Sequence, residues 1–185
     1  MAPRTVKPIS PVLHLSIANR GWSAIPSIRK LTRKAANAAY ILAGDGDPAE
    51  ISLLLTDDAA MLALNHAWRS IEKPTNVLAF ANLSQSFLPG GPPRALGDVA
   101  LGLETVLREA AEQGKPPEAH LSHLVVHGVL HLLGRDHLTE GDAEAMENEE
   151  RRALADLGFP DPYQIPYQGV SIEGLDNPPV RINRE

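Results

Sequence analysis

Residues 127–137 read HGVLHLLGRDH, and the spacing of their three histidines governs how the rest of the chain is read. His127 and His131 are four apart, a little over one helical turn, so a helix presents both imidazoles on one face. Gly134 tolerates the positive φ that ends a helix. His137 lies six residues past His131 and can then swing back toward the pair. Three imidazoles on a tetrahedral ion leave the fourth position to water, which is the arrangement of a catalytic zinc rather than a closed structural one. Upstream, His120 and His123 extend the stripe at spacings of three and four, so five of the seven histidines fall within eighteen residues. Packing gives no reason for such a stripe. His123, one turn before His127, is expected to support the ligands from behind. His120 reads equally as a core or a surface histidine. Asp136 is expected to orient a ligating imidazole, to stabilise the turn, or both.

The same spacing matches the long metzincin peptidase pattern, which requires a Glu directly after the first His as general base. Gly128 stands there and cannot take a proton. What remains is a Lewis acid with a bound water, still suited to metal-assisted hydrolysis.

The flanking sequence supplies a frame for this helix. Val12–Ala18 alternates as a strand, 25–43 reads as a helix, and Ile51–Thr56 as a short apolar strand. Asp57 is a good N-cap for a helix over 58–69. Strands follow at Val77–Phe80 and Asp98–Leu101, separated by a loop over 82–96 that holds Pro89, Pro92 and Pro93. Helices are expected over 103–113, 118–133 and 140–157, the last opened by a capping box of Thr139 and Asp142. Ala143, Met146, Ala153, Leu154 and Leu157 give it an apolar stripe, and its acids (Glu144, Glu147, Glu149, Glu150) read as a solvated face. The order β-α-β-α-β-β-α-α-α predicts one α+β domain over 1–158, a small four-stranded mixed sheet with about five helices. Residues 159–185, rich in proline, read as an extension without a core of its own.

Composition narrows the function. At 185 residues and 43% apolar content the chain can bury one core, and with 4% aromatics that core must be aliphatic. There is no cysteine, which excludes disulfides and thiolate-bound zinc and fits a reducing cytoplasm. No segment has the apolar run of a membrane span or a secretory leader, so a cytoplasmic protein without membrane association is expected. The net charge of −6 is unevenly spread: residues 1–44 contain Arg4, Lys7, Arg20, Arg29, Lys30, Arg33 and Lys34 and no acid. Arg29, Lys30, Arg33 and Lys34 fall largely on one side of a helix, either as a solvated face or as an RNA contact through phosphates. Arg69, ending a helix before a loop, reads on its own as a C-terminal arginine favoured by the helix dipole.

HGVLHLLGRDH resembles the signature of the YbeY family, bacterial zinc-dependent endoribonucleases of rRNA maturation. Residues 65–80, NHAWRSIEKPTNVLAF, and 96–101, LGDVAL, resemble two further family segments, so the resemblance spans roughly 50–158. Arg135 stands where the family has an aromatic residue, usually Tyr, and Ala79 where Ser is usual. The resemblance implies one Zn²⁺ on His127, His131 and His137, with Arg69 as the catalytic arginine beside the metal-bound His127. It implies single-stranded or ribosomal RNA as substrate, 16S rRNA 3′-end maturation and ribosome quality control, and ribosomal proteins or ribosome-associated factors as possible partners. Lys73, Arg94 and Arg135 are weaker candidates for phosphate contact. Two alternatives stand beside it: a ribosome-assembly binding protein with a mainly structural metal, and a zinc metallohydrolase of another substrate class.

Overall fold

The computed structural model describes residues 10–84 and 88–164. Arg4, Lys7 and most of the proline-containing extension (165–185) lie outside the described residues. The elements are β1 (Val12–Ile17), α1 (Ile28–Ala43), β2 (Ala49–Thr56), α2 (Asp58–Arg69), β3 (Val77–Ala81), β4 (Arg94–Gly102), α3 (Leu103–Glu112), α4 (Pro117–Leu132) and α5 (Glu140–Asp156). A 3-10 turn over Arg20–Ala24 precedes α1. The four strands form one sheet in the order β1-β2-β4-β3. β1, β2 and β4 are parallel, while β3 runs antiparallel to β4 along the sheet edge. The architecture is therefore the α+β domain with a four-stranded mixed sheet and five helices that the element order predicts.

Three boundaries differ from the sequence expectation by two residues or more. The first long helix begins at Ile28 rather than 25, because Pro26 disfavours helical geometry at Ile25 and Ser27 sits in the left-handed region at φ 53°. β2 begins at Ala49 rather than Ile51 and β4 at Arg94 rather than Asp98, both earlier than expected. Arg94 donates from its backbone to the Pro48 carbonyl and from its guanidinium to Asp45 at 2.7 Å, which carries the pairing into the proline-rich loop.

The sheet's two faces are covered unequally. Ile51, Leu53 and Leu55 of β2 and Val99 and Leu101 of β4 point to one face, where α1 and α4 pack in the main core. Small residues of α1, Ala35, Ala36 and Ala39, are fully buried and let the helices approach closely. α4 is apolar almost all round, as expected of a helix enclosed by other elements. On the opposite face, among the described residues, α2 packs through Met61 on Leu78 and Ala100 with Leu64 and Phe80 alongside. Gly128 lets α4 lie close against the sheet: a Cβ there would sit 2.6 Å from Val99 Cγ1 and 3.4 Å from Val77 Cγ2. The glycine that removes a peptidase base is thus also the residue that seats the helix.

Candidate metal centre

α4 ends on a Schellman turn. Gly134, at φ 80°, donates to the His131 carbonyl, and Arg135 N–H reaches back to Leu130. This turn brings the Arg135 carbonyl to 2.9 Å from His131 Nδ1. His127 Nδ1 lies 2.7 Å from Glu150 Oε1. Both Nδ1 atoms therefore carry the proton, donating to a carbonyl and a carboxylate, and both Nε2 atoms are left as lone-pair donors. These two Nε2 atoms face each other at 3.1 Å. His137 follows the turn and completes a set of three nitrogens all within 4.8 Å of one another. Two lone pairs at that separation repel unless a cation lies between them, and tetrahedral zinc with bonds of about 2.0–2.1 Å spaces its nitrogens by about 3.3 Å. The donor set thus fits a metal ion. Burial, and then the nearby His127 and His137, hold His131 down to about 4, so its imidazole is neutral near pH 7 as a ligand must be.

Behind the three histidines stands Glu150 of α5, only 1% exposed. Its second oxygen lies 2.8 Å from His123 Nε2 and accepts the Tyr163 hydroxyl. Burial alone would raise the Glu150 carboxyl; the hydrogen bonds from His123 and His127 outweigh it and hold the group well below the usual carboxylate range. Burial comes first in pushing Tyr163 up, with Glu150 adding to it, so its hydroxyl stays a donor. The expectation of a solvated acidic face on α5 is therefore wrong for Glu150. The sign was in the sequence, because Glu150 occupies the same stripe as Ala143, Met146, Ala153 and Leu154. Glu149 is also engaged: it takes both Nε and Nη2 of Arg135, at 2.9 and 3.1 Å. Arg135 also donates to the Ala43 carbonyl, so it braces the turn while it lines the cleft of the three histidines.

The other sequence-derived candidates separate clearly. Asp136 accepts from the His137 backbone N–H at 2.8 Å, the turn-stabilising role, while the Arg135 carbonyl takes the imidazole-orienting one. His123 reaches His127 through Glu150. His120 is buried and pairs with Glu109 at 2.8 Å. Arg69 lines a cleft of about 590 Å³ together with His127, His131, His137 and Asp136, and this cleft is where the three histidines open to solvent. Ser70, left-handed at φ 57°, stops α2 immediately after it. The buried Asn65 amide donates to the Lys73 carbonyl at 2.7 Å and fixes the loop that follows. The Lys73 side chain is exposed and does not line the cleft. Arg94 is committed to Asp45. Arg29, Lys30, Arg33 and Lys34 are exposed, but on the first half of α1. At 1.5 Å per residue they stand roughly 14–21 Å along the axis from Ala43, the end that meets Arg135, so they do not join the metal centre.

Fold and site together define a single-domain α+β protein able to hold one metal ion on three histidines, with an arginine in the cleft where that site opens. A family model described as Endoribonuclease YbeY matches residues 16–158. Proteins called Endoribonuclease YbeY are 45% identical in Nitrobacter winogradskyi (87% of this chain, 86% of that one). Others are 48% identical in Azorhizobium caulinodans (83% and 96%) and 50% identical in Chelativorans sp. strain BNC1 (80% and 90%). The chain belongs to the YbeY endoribonuclease family.

Proposed function

We propose that this protein is a zinc-dependent endoribonuclease that cuts single-stranded RNA during rRNA maturation, at the 3′ end of 16S rRNA, and in ribosome quality control. Family membership supports the reaction class. The observation that carries the reading is that Arg69 and the three histidines line one cleft. His127, His131 and His137 would hold the ion as neutral imidazoles, and a bound zinc would supply a Lewis acid for water and for a phosphodiester oxygen. Three imidazoles and availability favour zinc over nickel. Arg69 makes no ion pair among the described residues. Its planar guanidinium suits the non-bridging phosphate oxygens, on which charge grows in the transition state. Glu150 and the Arg135 carbonyl hold two of the imidazoles in the tautomer that binds metal. Gly128 leaves no carboxylate after the first ligand, which disfavours the peptidase reading, and the open cleft disfavours a purely structural metal. Ribosomal RNA as substrate implies a cytoplasmic site of action and contact with ribosomal proteins or ribosome-associated factors; no described helix is long and apolar enough to cross a membrane.

The test is cleavage of a labelled single-stranded RNA by wild type, His127→Ala and Arg69→Ala, with bound metal quantified in each. His127→Ala should lose metal and cleavage together. Arg69→Ala should keep the metal and lose about 10²–10³ in kcat. If all three preparations cleave alike, the activity is a contaminant and the metal-stabilised ribosome-assembly binding protein becomes the better account.

A further inference from the structure

Arg69 faces the metal cleft, and its neighbour Trp68 faces elsewhere. Trp68 is 71% exposed. What it covers is Phe80 of β3, with ring centroids 5.5 Å apart and planes tilted by 55°. The two rings border a groove of about 700 Å³ on the less covered face of the sheet: Leu54, Leu64 and Ala100 give it an apolar floor, Asp98 lies beside Phe80, and Ser52, Ser16 and His14 line its far side on β2 and β1. Ala81 lines both this groove and the metal cleft. β3 is the edge strand, so nothing further in the sheet separates the two. A strand leaving the cleft past Arg69 and over the end of β3 arrives beside Trp68.

We propose that the Trp68–Phe80 pair is a stacking subsite for one unpaired base of the RNA substrate, next to the nucleotide whose phosphate lies at Arg69. This rests on the endoribonuclease reading. The chemistry of the groove selects which part of a nucleotide enters it. Around the rings the lining is apolar apart from Asp98, whose carboxylate would repel a phosphate, whereas a base presents a neutral π-face to the rings and N–H donors, amino or imino, to the acid. An aromatic face accepts any base, and only an unpaired one can reach it, so the subsite discriminates single strands from duplexes without reading sequence. Trp68 is on this account a positioning and specificity residue, outside the chemistry at the metal.

The experiment measures kcat and KM on a single-stranded RNA and on versions of it carrying one abasic nucleotide, stepped along the strand. For wild type, one abasic position near the cut should raise KM by about 5- to 150-fold with kcat little changed, the fold-range of one base–aromatic stack. Trp68→Ala should raise KM on the intact strand by a similar factor and become indifferent to that abasic position. Trp68→Tyr should restore most of the affinity. A wild-type KM for Trp68→Ala, or an abasic penalty that persists in it, overturns the proposal and makes the groove a protein surface. A second readout stands apart from cleavage. The chain has two tryptophans, and Trp22 is wholly buried, so fluorescence quenching by added RNA reports Trp68. Quenching by single strand and not by duplex supports stacking even if wild type cuts nothing, an outcome that would sink the nuclease reading alone. Absence of quenching by a strand that the protein binds overturns the subsite.

Discussion

One carboxylate, Glu150, organises more of the candidate metal centre than any of the three histidines that would hold the ion. It is buried, it carries a charge that burial opposes, and it keeps that charge because two imidazoles and a phenol hydrogen-bond to it. A carboxylate behind a ligating histidine fixes the ring and raises its basicity, and such partners are worth 10- to 100-fold in metal affinity. Glu150→Gln should therefore weaken metal binding within that range while keeping the fold, as read by competition with a chelator. Glu150→Ala should do more harm, because it strands three donors in a buried site; its thermal stability should fall well below that of the Gln variant. Equal metal affinity in wild type and Glu150→Gln would show that the carboxylate has no part in holding the ion.

At the scale of elements, α4 shows why most of this fold was legible and part of the site was not. Its helix, its glycine stop and the ligand spacing are local: period, propensity and turn chemistry act over a few residues, and all three agree. Asp57 and Thr139 cap α2 and α5 as expected for the same reason. What could not be read is where α5 lands. The expected solvated face contains Glu149 and Glu150, and only tertiary packing turns one onto Arg135 and the other onto His127. Gly128 is an intermediate case, visible in sequence as a missing base and in structure as a contact. Alanine there would gain about 1 kcal/mol of helix propensity, but its Cβ meets Val99, a stiff β-branched side chain that is 1% exposed. Overpacking of about 1–3 kcal/mol should prevail, so Gly128→Ala should melt a few degrees below wild type. Gly134→Ala should cost about 1 kcal/mol for a different reason. Its Cβ would meet only Leu83 at 3.7 Å, so the cost is the left-handed backbone. It should also weaken metal binding, since the Arg135 carbonyl follows the turn; an unchanged chelator titration would separate the turn from the site.

Across the whole molecule, two devices tie the cleft to distant parts of the chain. The first is Glu109 of α3, which accepts from Asn76 at 2.9 Å and pairs with His120 of α4, joining three segments around the loop that enters β3. Burial opposes its ionisation, but the hydrogen bonds from His120 and Asn76 prevail and hold its carboxyl below the usual range. A folded-state pKa below the unfolded one, about 4.3, means that its stabilisation is present above that pH and is lost as pH falls through the folded value. The Tm gap between wild type and Glu109→Gln should thus be widest at neutral pH and close on acidification; a gap independent of pH would mean the charge plays no part. The second device is the start of the C-terminal extension. Phe159 packs on the core, Asp161 pairs with Arg151 at 3.3 Å, and Lys115 donates to the Pro162 carbonyl, which together carry Tyr163 to Glu150. The Arg151 guanidinium lies 4.9 Å from the centre of the Tyr163 ring. Residues 159–164 are therefore built into the metal centre's support and do not hang from a finished domain. Ending the chain after Gln164 should leave metal affinity at the wild-type level. Ending it after Gly158 should weaken it, because Glu150 loses a donor and the Arg151 pair is broken. Tyr163→Phe in the full chain should reproduce that part of the loss due to the hydroxyl. If both truncations bind metal like wild type, the contact with Glu150 is incidental and the support ends at α5.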